Sequence, residues 1–268
     1  MLFYYFIIFI LGLIIGSFLN CVIYRLEKEK KLTGRSYCPD CKHILEWQDL
    51  VPIFSFLFLR GRCRYCHKKI SRRYPLVEIA TGSMFLLISI FQLPKFEFSI
   101  FYFLFSIFSF YVVSSLIVIF AYDLKHYIIP DKVLFPAIGI SFIYRFLGSF
   151  QISNFKFEIV SFGSYIFAAL MASGFFLLIY LISQGRWMGF GDCKLAILLG
   201  LLLGFPNILL NIFLSFFFGA IIGIILLLLR KKKLKSEVPF APFLITGALL
   251  SMFWGQTIIN LYFRFLGV

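Results

Sequence analysis

Two aspartates in this 268-residue sequence stand where a charge is expensive. Asp123 closes a long apolar run in "AYDLKHYIIPD", and Asp192 sits in "GFGDCKL" (189–195), directly before the apolar run Leu195 to Leu203. An ionisable side chain at the margin of hydrocarbon is a functional candidate by default, because placing it there costs so much. Two carboxyl groups sharing one site cannot easily both ionise, so one keeps its proton while the other stays charged. The charged one can deprotonate water and the protonated one can donate to a scissile carbonyl, as in aspartic proteases. Gly189 and Gly191 remove side chains just before Asp192, which lets a backbone or a substrate strand approach closely. Lys194 and Lys125 can favour the ionised forms or simply reach to lipid headgroups. Each acid also has a plainer reading. A lone Asp at a helix amino end is often a cap or a dipole partner, and Asp131, following Pro130, fits that role better than a catalytic one. Glu78 fits a satisfied interhelical hydrogen-bonding group.

A second constellation is made of cysteine. "CPDC" at 38–41 and "CRYC" at 63–66 are two C-x-x-C pairs separated by twenty-one residues, within about a residue of the ~15–20 spacing of zinc sites. Each C-x-x-C turn presents two sulfurs to one ion, and two turns complete a tetrahedral thiolate shell. The alternatives are a pair of disulfides or four unrelated thiols. A reducing cytoplasmic face argues against the first, and the paired spacing against the second. Cys38, Cys41, Cys63 and Cys66 are therefore the expected ligands of a structural zinc, which stands in for a core that so short an insert could hardly build alone. His43 and His67 are near enough to be alternative ligands. Cys21 and Cys193 read as packing residues.

The elements that must position these groups are membrane helices. The chain is 61% hydrophobic, 21% aromatic and only 14% charged, and its long uncharged stretches reach the roughly twenty residues that cross a hydrocarbon core. The short alternating segments of a closed β-barrel are absent. The net charge of +14 is not spread over a soluble surface: thirteen Lys and Arg lie between Arg25 and Arg73, and "RKKKLK" occupies 230–235. Such groups between apolar spans mark the cytoplasmic side, so nucleic acid is the weaker explanation. The amino-terminal apolar run has no basic residue before it, the opposite of a signal peptide, and reads as a retained helix with its amino end outside. Spans are expected near 2–24, 75–93, 99–122, 134–150, 158–183, 193–204, 207–229 and 241–263, with both termini outside. The loops after the first, third, fifth and seventh carry the cations, while loops such as Gln92 to Phe98 are nearly uncharged. The sixth span is too short for a full crossing. The expected fold is thus an all-α polytopic membrane protein of about eight transmembrane helices, with a small cytoplasmic four-cysteine, zinc-ribbon-like insert (25–74) between helices 1 and 2. Residues 1–98 form an amino-terminal region and 99–268 the helix bundle that carries both aspartates.

Taken in order, "GSFLNCVIYRL" (16–26), the two C-x-x-C pairs, "LRGRCRYCHKKISRRYPLVEIATG" (59–82), "DLKHYIIPD" (123–131), "GFGDCKL" and "PFAPFL" (239–244) resemble the type IV prepilin peptidase family, the GxGD class of membrane aspartic proteases. The resemblance runs through nearly the whole chain. It implies a catalytic pair, Asp123 and Asp192, with Gly189, Gly191 and Lys194 supporting the active-site loop. It implies removal of a short basic leader from type IV prepilins or pseudopilins at the cytoplasmic face of the bacterial inner membrane, with cleavage after Gly. It further implies N-methylation of the new terminus from S-adenosylmethionine, because members with the four-cysteine insert are usually bifunctional. No glycine-rich strand-turn-helix signature marks a methyl-donor site, so its residues are not named by the sequence. Where the family has P-F-G-P this chain has Ala241. The competing readings are a proton- or cation-coupled transporter using the same acids, and an assembly protein that holds a partner through the insert. Nothing in the sequence speaks to oligomeric state.

Overall fold

The computed structural model describes residues 2–92, 100–148, 150–151, 156–157, 159–229 and 238–265. The elements run α1 (Leu2–Glu27), a 3-10 turn (Trp47–Leu50), α2 (Phe54–Phe58), α3 (Arg73–Gln92), α4 (Ile100–His126), α5 (Asp131–Gly148), β1 (Phe150–Gln151), β2 (Lys156–Phe157), α6 (Ile159–Ser183), α7 (Phe190–Leu203), α8 (Asn207–Leu228) and α9 (Ala241–Phe265). The two strands form a minimal antiparallel pair. Among the described residues eight long helices therefore stand where the apolar runs placed them, with the cysteine insert between the first two. Six of them, α1, α3, α4, α6, α8 and α9, are long and apolar enough to cross a membrane. The other two are α5, which carries Asp131, Lys132 and Arg145, and α7, which has 14 residues. The basic group 230–235 and residues 93–98 of the Gln92–Phe98 loop lie outside the described residues.

The chain divides into two compact units, residues 1–121 and 122–268. In a lipid surround, burial from water cannot hold helices together, so close packing and interhelical hydrogen bonds must do so. In the first unit α1 and α3 approach through small residues. A Cβ on Gly12 would lie 2.6 Å from the Gly82 Cα, and one on Gly16 would lie 2.7 Å from the Glu78 Cα. Asn20 Nδ2 donates to the Tyr74 carbonyl at 3.0 Å, fixing the level at which α3 begins. Arg25 is buried and turns its guanidinium onto the Gly34 carbonyl at 2.7 Å, with a second bond to the Lys31 carbonyl, which folds the chain back as it leaves α1. Phe85 of α3 stacks on Phe110 of α4, with ring centroids 4.2 Å apart.

In the second unit α7 is the centre. It packs against α5, α6, α8 and α9, and nine of its residues are buried, as expected of a helix apolar on every side. Gly200 allows the approach to α6, since a Cβ there would meet the Ala169 Cα at 2.3 Å. With 14 residues, α7 is about 21 Å long at ~1.5 Å per residue, short of a hydrocarbon core of ~30 Å. Its last carbonyls would be orphaned in an apolar surround, and α5 supplies the remedy. Arg145 Nε donates to the Leu201 carbonyl at 3.0 Å and Nη2 to the Leu202 carbonyl at 2.6 Å. The same guanidinium lies 4.0 Å from the Tyr165 ring centroid. Gly204 closes the helix at φ 68. The short sixth span is thus a buried helix with its carboxyl end capped by a neighbour's cation.

Candidate active site

Asp123 lies in the last turn of α4 and Asp192 in the first turn of α7, and each is buried, at 4% and 7% exposed. Both belong to the second unit, where α7 packs against α9 and Asp123 reaches the first residue of α9. The local chemistry that seats Asp192 is a reciprocal one. Gly189 is the N-cap of α7. The Asp192 N–H donates to the Gly189 carbonyl at 3.1 Å, and the Asp192 carboxylate accepts from the Gly189 N–H. The acid at the third helical position thus supplies the half of a capping box that reaches back to the N-cap N–H, while Gly189, having no side chain, offers only its carbonyl in return. Asp123 is held by another helix end, because the Ala241 N–H at the start of α9 donates to its carboxylate. A helix amino terminus favours negative charge at that place. The second oxygen, Asp123 Oδ2, is buried and has no hydrogen-bond partner among the described residues.

The loop between α4 and α5 ties the end of α4 to the start of α7. Tyr127 ends α4 at φ 58, its N–H bonded to the Asp123 carbonyl at 2.9 Å. The chain then runs through Ile129 and Pro130 into α5, and it is fastened to the start of α7 twice. A Cβ on Gly191 would sit 3.2 Å from Ile129 side-chain atoms, so only glycine lets the two segments close up fully. Lys194 Nζ bonds both Asp131 oxygens, at 2.8 and 2.9 Å. Gly189 is different: its φ of −76° is open to any residue and a Cβ would make only ordinary contact with Asp192 Oδ2, at 3.7 Å. Of the two glycines, Gly191 answers to packing and Gly189 leaves space beside the carboxylate. Lys194 and Asp131 are partly solvated, at 23% and 51% side-chain exposure, and such pairs contribute about 0–1 kcal/mol. A double-mutant cycle of Lys194→Met and Asp131→Asn, read by thermal unfolding in detergent micelles, is expected to return a coupling no larger than about 1 kcal/mol.

Among the residues singled out in the sequence, the structure buries Asp123 and Asp192, sets Gly189 beside the Asp192 carboxylate and Gly191 against Ile129, and turns Lys194 to Asp131. Ala241 is the participant that sequence reasoning did not assign. Its only signal was its place in "PFAPFL", and because it acts through its backbone N–H, an Ala in place of the usual Gly keeps the contact. Glu78 belongs to the other unit, where it accepts from the Ile53 N–H at 2.8 Å and from Ser17.

The four cysteines converge. The sulfurs of Cys38, Cys41, Cys63 and Cys66 all lie within 4.8 Å of one another, with Cys38 and Cys66 at 3.9 Å. A tetrahedron with zinc–sulfur bonds of ~2.3 Å has edges of about 3.8 Å, so the donors fit such an ion. The two turns are copies of one design. In each, the first cysteine's N–H bonds the carbonyl five residues on, at 2.9 Å, and its carbonyl accepts from the residue four on, at 3.0 Å. That fourth residue, Lys42 or His67, has positive φ. Burial raises the Cys38 thiol, but the N–H groups of Cys41 and Asp40 outweigh it and bring it down to about 7. Cys66, although the Lys68 N–H favours its thiolate, is pushed up to about 11 by burial and by the neighbouring cysteines. Four crowded thiols cannot all ionise until a cation joins them. His43 packs against Tyr65, with centroids 3.7 Å apart and the rings tilted by 44°. Beside the cluster, between the insert and the ends of α1 and α3, is a cavity of about 340 Å³ whose lining includes Asn20, Tyr24, Tyr37, Asp40, Tyr74 and Glu78.

Comparison with known proteins agrees with this layout. The family described as Bacterial Peptidase A24 N-terminal domain matches residues 10–92, and the Type IV leader peptidase family matches residues 110–224. The chain is 34% identical, over 97% of its length, to the prepilin leader peptidase/N-methyltransferase of Legionella pneumophila, of which it covers 94%. It is 30% identical to the protein of the same name from Aeromonas hydrophila, covering 93% of it, and 30% to that of Bacillus subtilis (strain 168), covering 97%. No solved structure matches the chain.

Proposed function

Because this chain belongs to the type IV leader peptidase family, we propose that Asp123 and Asp192 are its catalytic pair and that prepilins or pseudopilins are its substrates. Prepilin processing followed by methylation is the activity that the family and the relatives' names support, and the transporter reading has no support in them. What supports the assignment is that both carboxylates are buried and each is held at a helix amino end, Asp192 by the Gly189 N–H of α7 and Asp123 by the Ala241 N–H of α9. One carboxylate takes a proton from water as the water oxygen attacks the scissile carbonyl carbon. The other, protonated, donates to the carbonyl oxygen. Collapse of the tetrahedral intermediate breaks the C–N bond, and a proton passes to the leaving amine. The buried Asp123 Oδ2 is the acceptor that such a water would use.

The site opens, in this reading, to the cytoplasmic face of the inner membrane, where Lys and Arg between spans are retained. A prepilin carries its basic leader on that same side and anchors by an apolar helix, so the bond to be cut arrives at the depth where α4 ends and α7 begins. Residues 99–268 carry the peptidase. The metal held by Cys38, Cys41, Cys63 and Cys66 is zinc, with a structural role. S-adenosylmethionine, when bound, supplies an electrophilic methyl group for the new amino terminus. The cavity beside the cysteine cluster is the candidate place for it. Its volume of about 340 Å³ lies in the ~300–1,000 Å³ range of small-molecule sites, and its lining mixes the rings of Tyr24 and Tyr74 with acids and bases, Asp49, Glu78, Arg25 and Arg64 among them. Co-expression with a candidate prepilin, followed by intact mass and amino-terminal analysis, tests both activities separately. Leader loss with an added methyl group is the expected result, and an uncut prepilin in the presence of inserted enzyme would reject the reading.

A further inference from the structure

The insert between α1 and α3 carries thirteen cations at and around its edges, yet its middle, "WQDLVPIFSFLFL" (47–59), is as apolar as a span. Folding does not hide it. Trp47 is 75% exposed, Phe54 57%, Leu57 62% and Phe58 83%, a contiguous apolar surface of the kind that marks a partner or a membrane.

Two independent contacts fix the depth of this surface. First, Trp47, Val51, Pro52 and Phe54 form one groove, of about 360 Å³, with Ile10, Leu13 and Ile14 of α1. Ile14 precedes Arg25, the first basic residue of the chain, by about 16 Å along the helix axis at ~1.5 Å per residue. The groove therefore continues the lipid-facing surface of a membrane-spanning helix. Second, the Ile53 N–H is bonded to Glu78 Oε2 at 2.8 Å. Glu78 is buried within the span of α3, level with Gly16 and Ser17 of α1. Non-helical backbone at membrane depth is tolerated only where protein satisfies its polar groups, and here a buried carboxylate does so. Ile53 has φ 60, a conformation that a β-branched residue avoids and that this bond helps to hold.

The geometry points to residues 47–58 as a re-entrant, lipid-embedded segment: the 3-10 turn and α2 dip into the leaflet on the insert's side, and acyl chains cover Trp47, Phe54, Leu57 and Phe58. Arg60, Arg62, Arg72 and Arg73, all exposed, stand where the chain returns to the headgroups, which attract cations. Trp47 occupies the belt that tryptophan favours. Glu78 then acts as the anchor of a membrane-dipping turn. The occupant is lipid because the patch is continuous with α1's own lipid-facing residues.

The test uses the full chain in vesicles of phosphatidylethanolamine and phosphatidylglycerol. The chain has three tryptophans, so the W187F/W254F variant reports Trp47 alone. Its emission should be strongly quenched when the acyl chains are brominated near the headgroup end, and little affected by aqueous iodide. A second reporter, Phe58→Trp in a chain whose native tryptophans are all Phe, should respond in the same way. Quenching by iodide rather than by brominated lipid would place the segment in water and overturn the inference. Quenching by neither would mean that a protein partner or a second copy covers it, and would overturn it equally.

Discussion

Asp123→Asn and Asp192→Asn each abolish leader removal while the protein still inserts and folds. Loss of one member of an acid–base pair removes about 10²- to 10⁴-fold in rate, and here each acid has a part that Asn cannot take. As the charged partner Asn cannot accept a proton from water, and as the neutral partner it has no acidic proton for the carbonyl. The two variants are nearly isosteric with the native side chains, and the hydrogen bonds from the Ala241 and Gly189 N–H groups are kept by the amide oxygen, so the helix ends stay in place. The measurement is the ratio of uncut to cut prepilin on co-expression, beside circular dichroism of the purified enzyme. The double variant should be no worse than either single one, because residues acting as a unit are non-additive. Retention of cleavage by either single variant would remove that aspartate from the mechanism.

Cys63→Ser, or stripping the metal with a chelator, unfolds the insert locally. Binding free energies for structural zinc run to about 10–16 kcal/mol, and for a segment this short nearly all of its folding energy is metal binding. Serine keeps the shape and removes a thiolate ligand. Without the ion the two matching turns at 38–44 and 63–69 lose what ties them to each other, and the lysines and arginines among them become accessible to trypsin. Elemental analysis should show one zinc per native chain and its loss in the variant, and limited proteolysis should show new cuts between Arg60 and Lys69. Cys21→Ser and Cys193→Ser, both outside the cluster, should keep the metal and the resistance. An insert that resists trypsin after complete metal removal would contradict the structural role.

The parts of this molecule legible in one dimension are those with local causes. Runs of twenty apolar residues declare spanning helices because the hydrocarbon core has a set thickness. A C-x-x-C turn declares its two sulfurs because one turn aims both, and Asp123 and Asp192 stand out because so few charges interrupt such runs. Those features were enough for the class of fold, for four cysteines whose sulfurs converge and for two acids that the fold buries. The tertiary structure decided what depends on residues far apart in sequence. Lys194 reads locally as a neighbour of Asp192, yet it bonds Asp131, 63 residues away. The short α7 reads as an incomplete span, and only Arg145, 56 residues before Leu201, shows how its end is satisfied. Ala241 carries no chemistry in its side chain, so no pattern could reveal that its N–H holds Asp123. The insert reads as hydrophilic from its charges, while its apolar middle lies along α1 because Glu78 bonds Ile53. Side-chain type and spacing tell which groups are too costly to be accidental, but their partners are set by packing, and packing is decided by the whole chain at once.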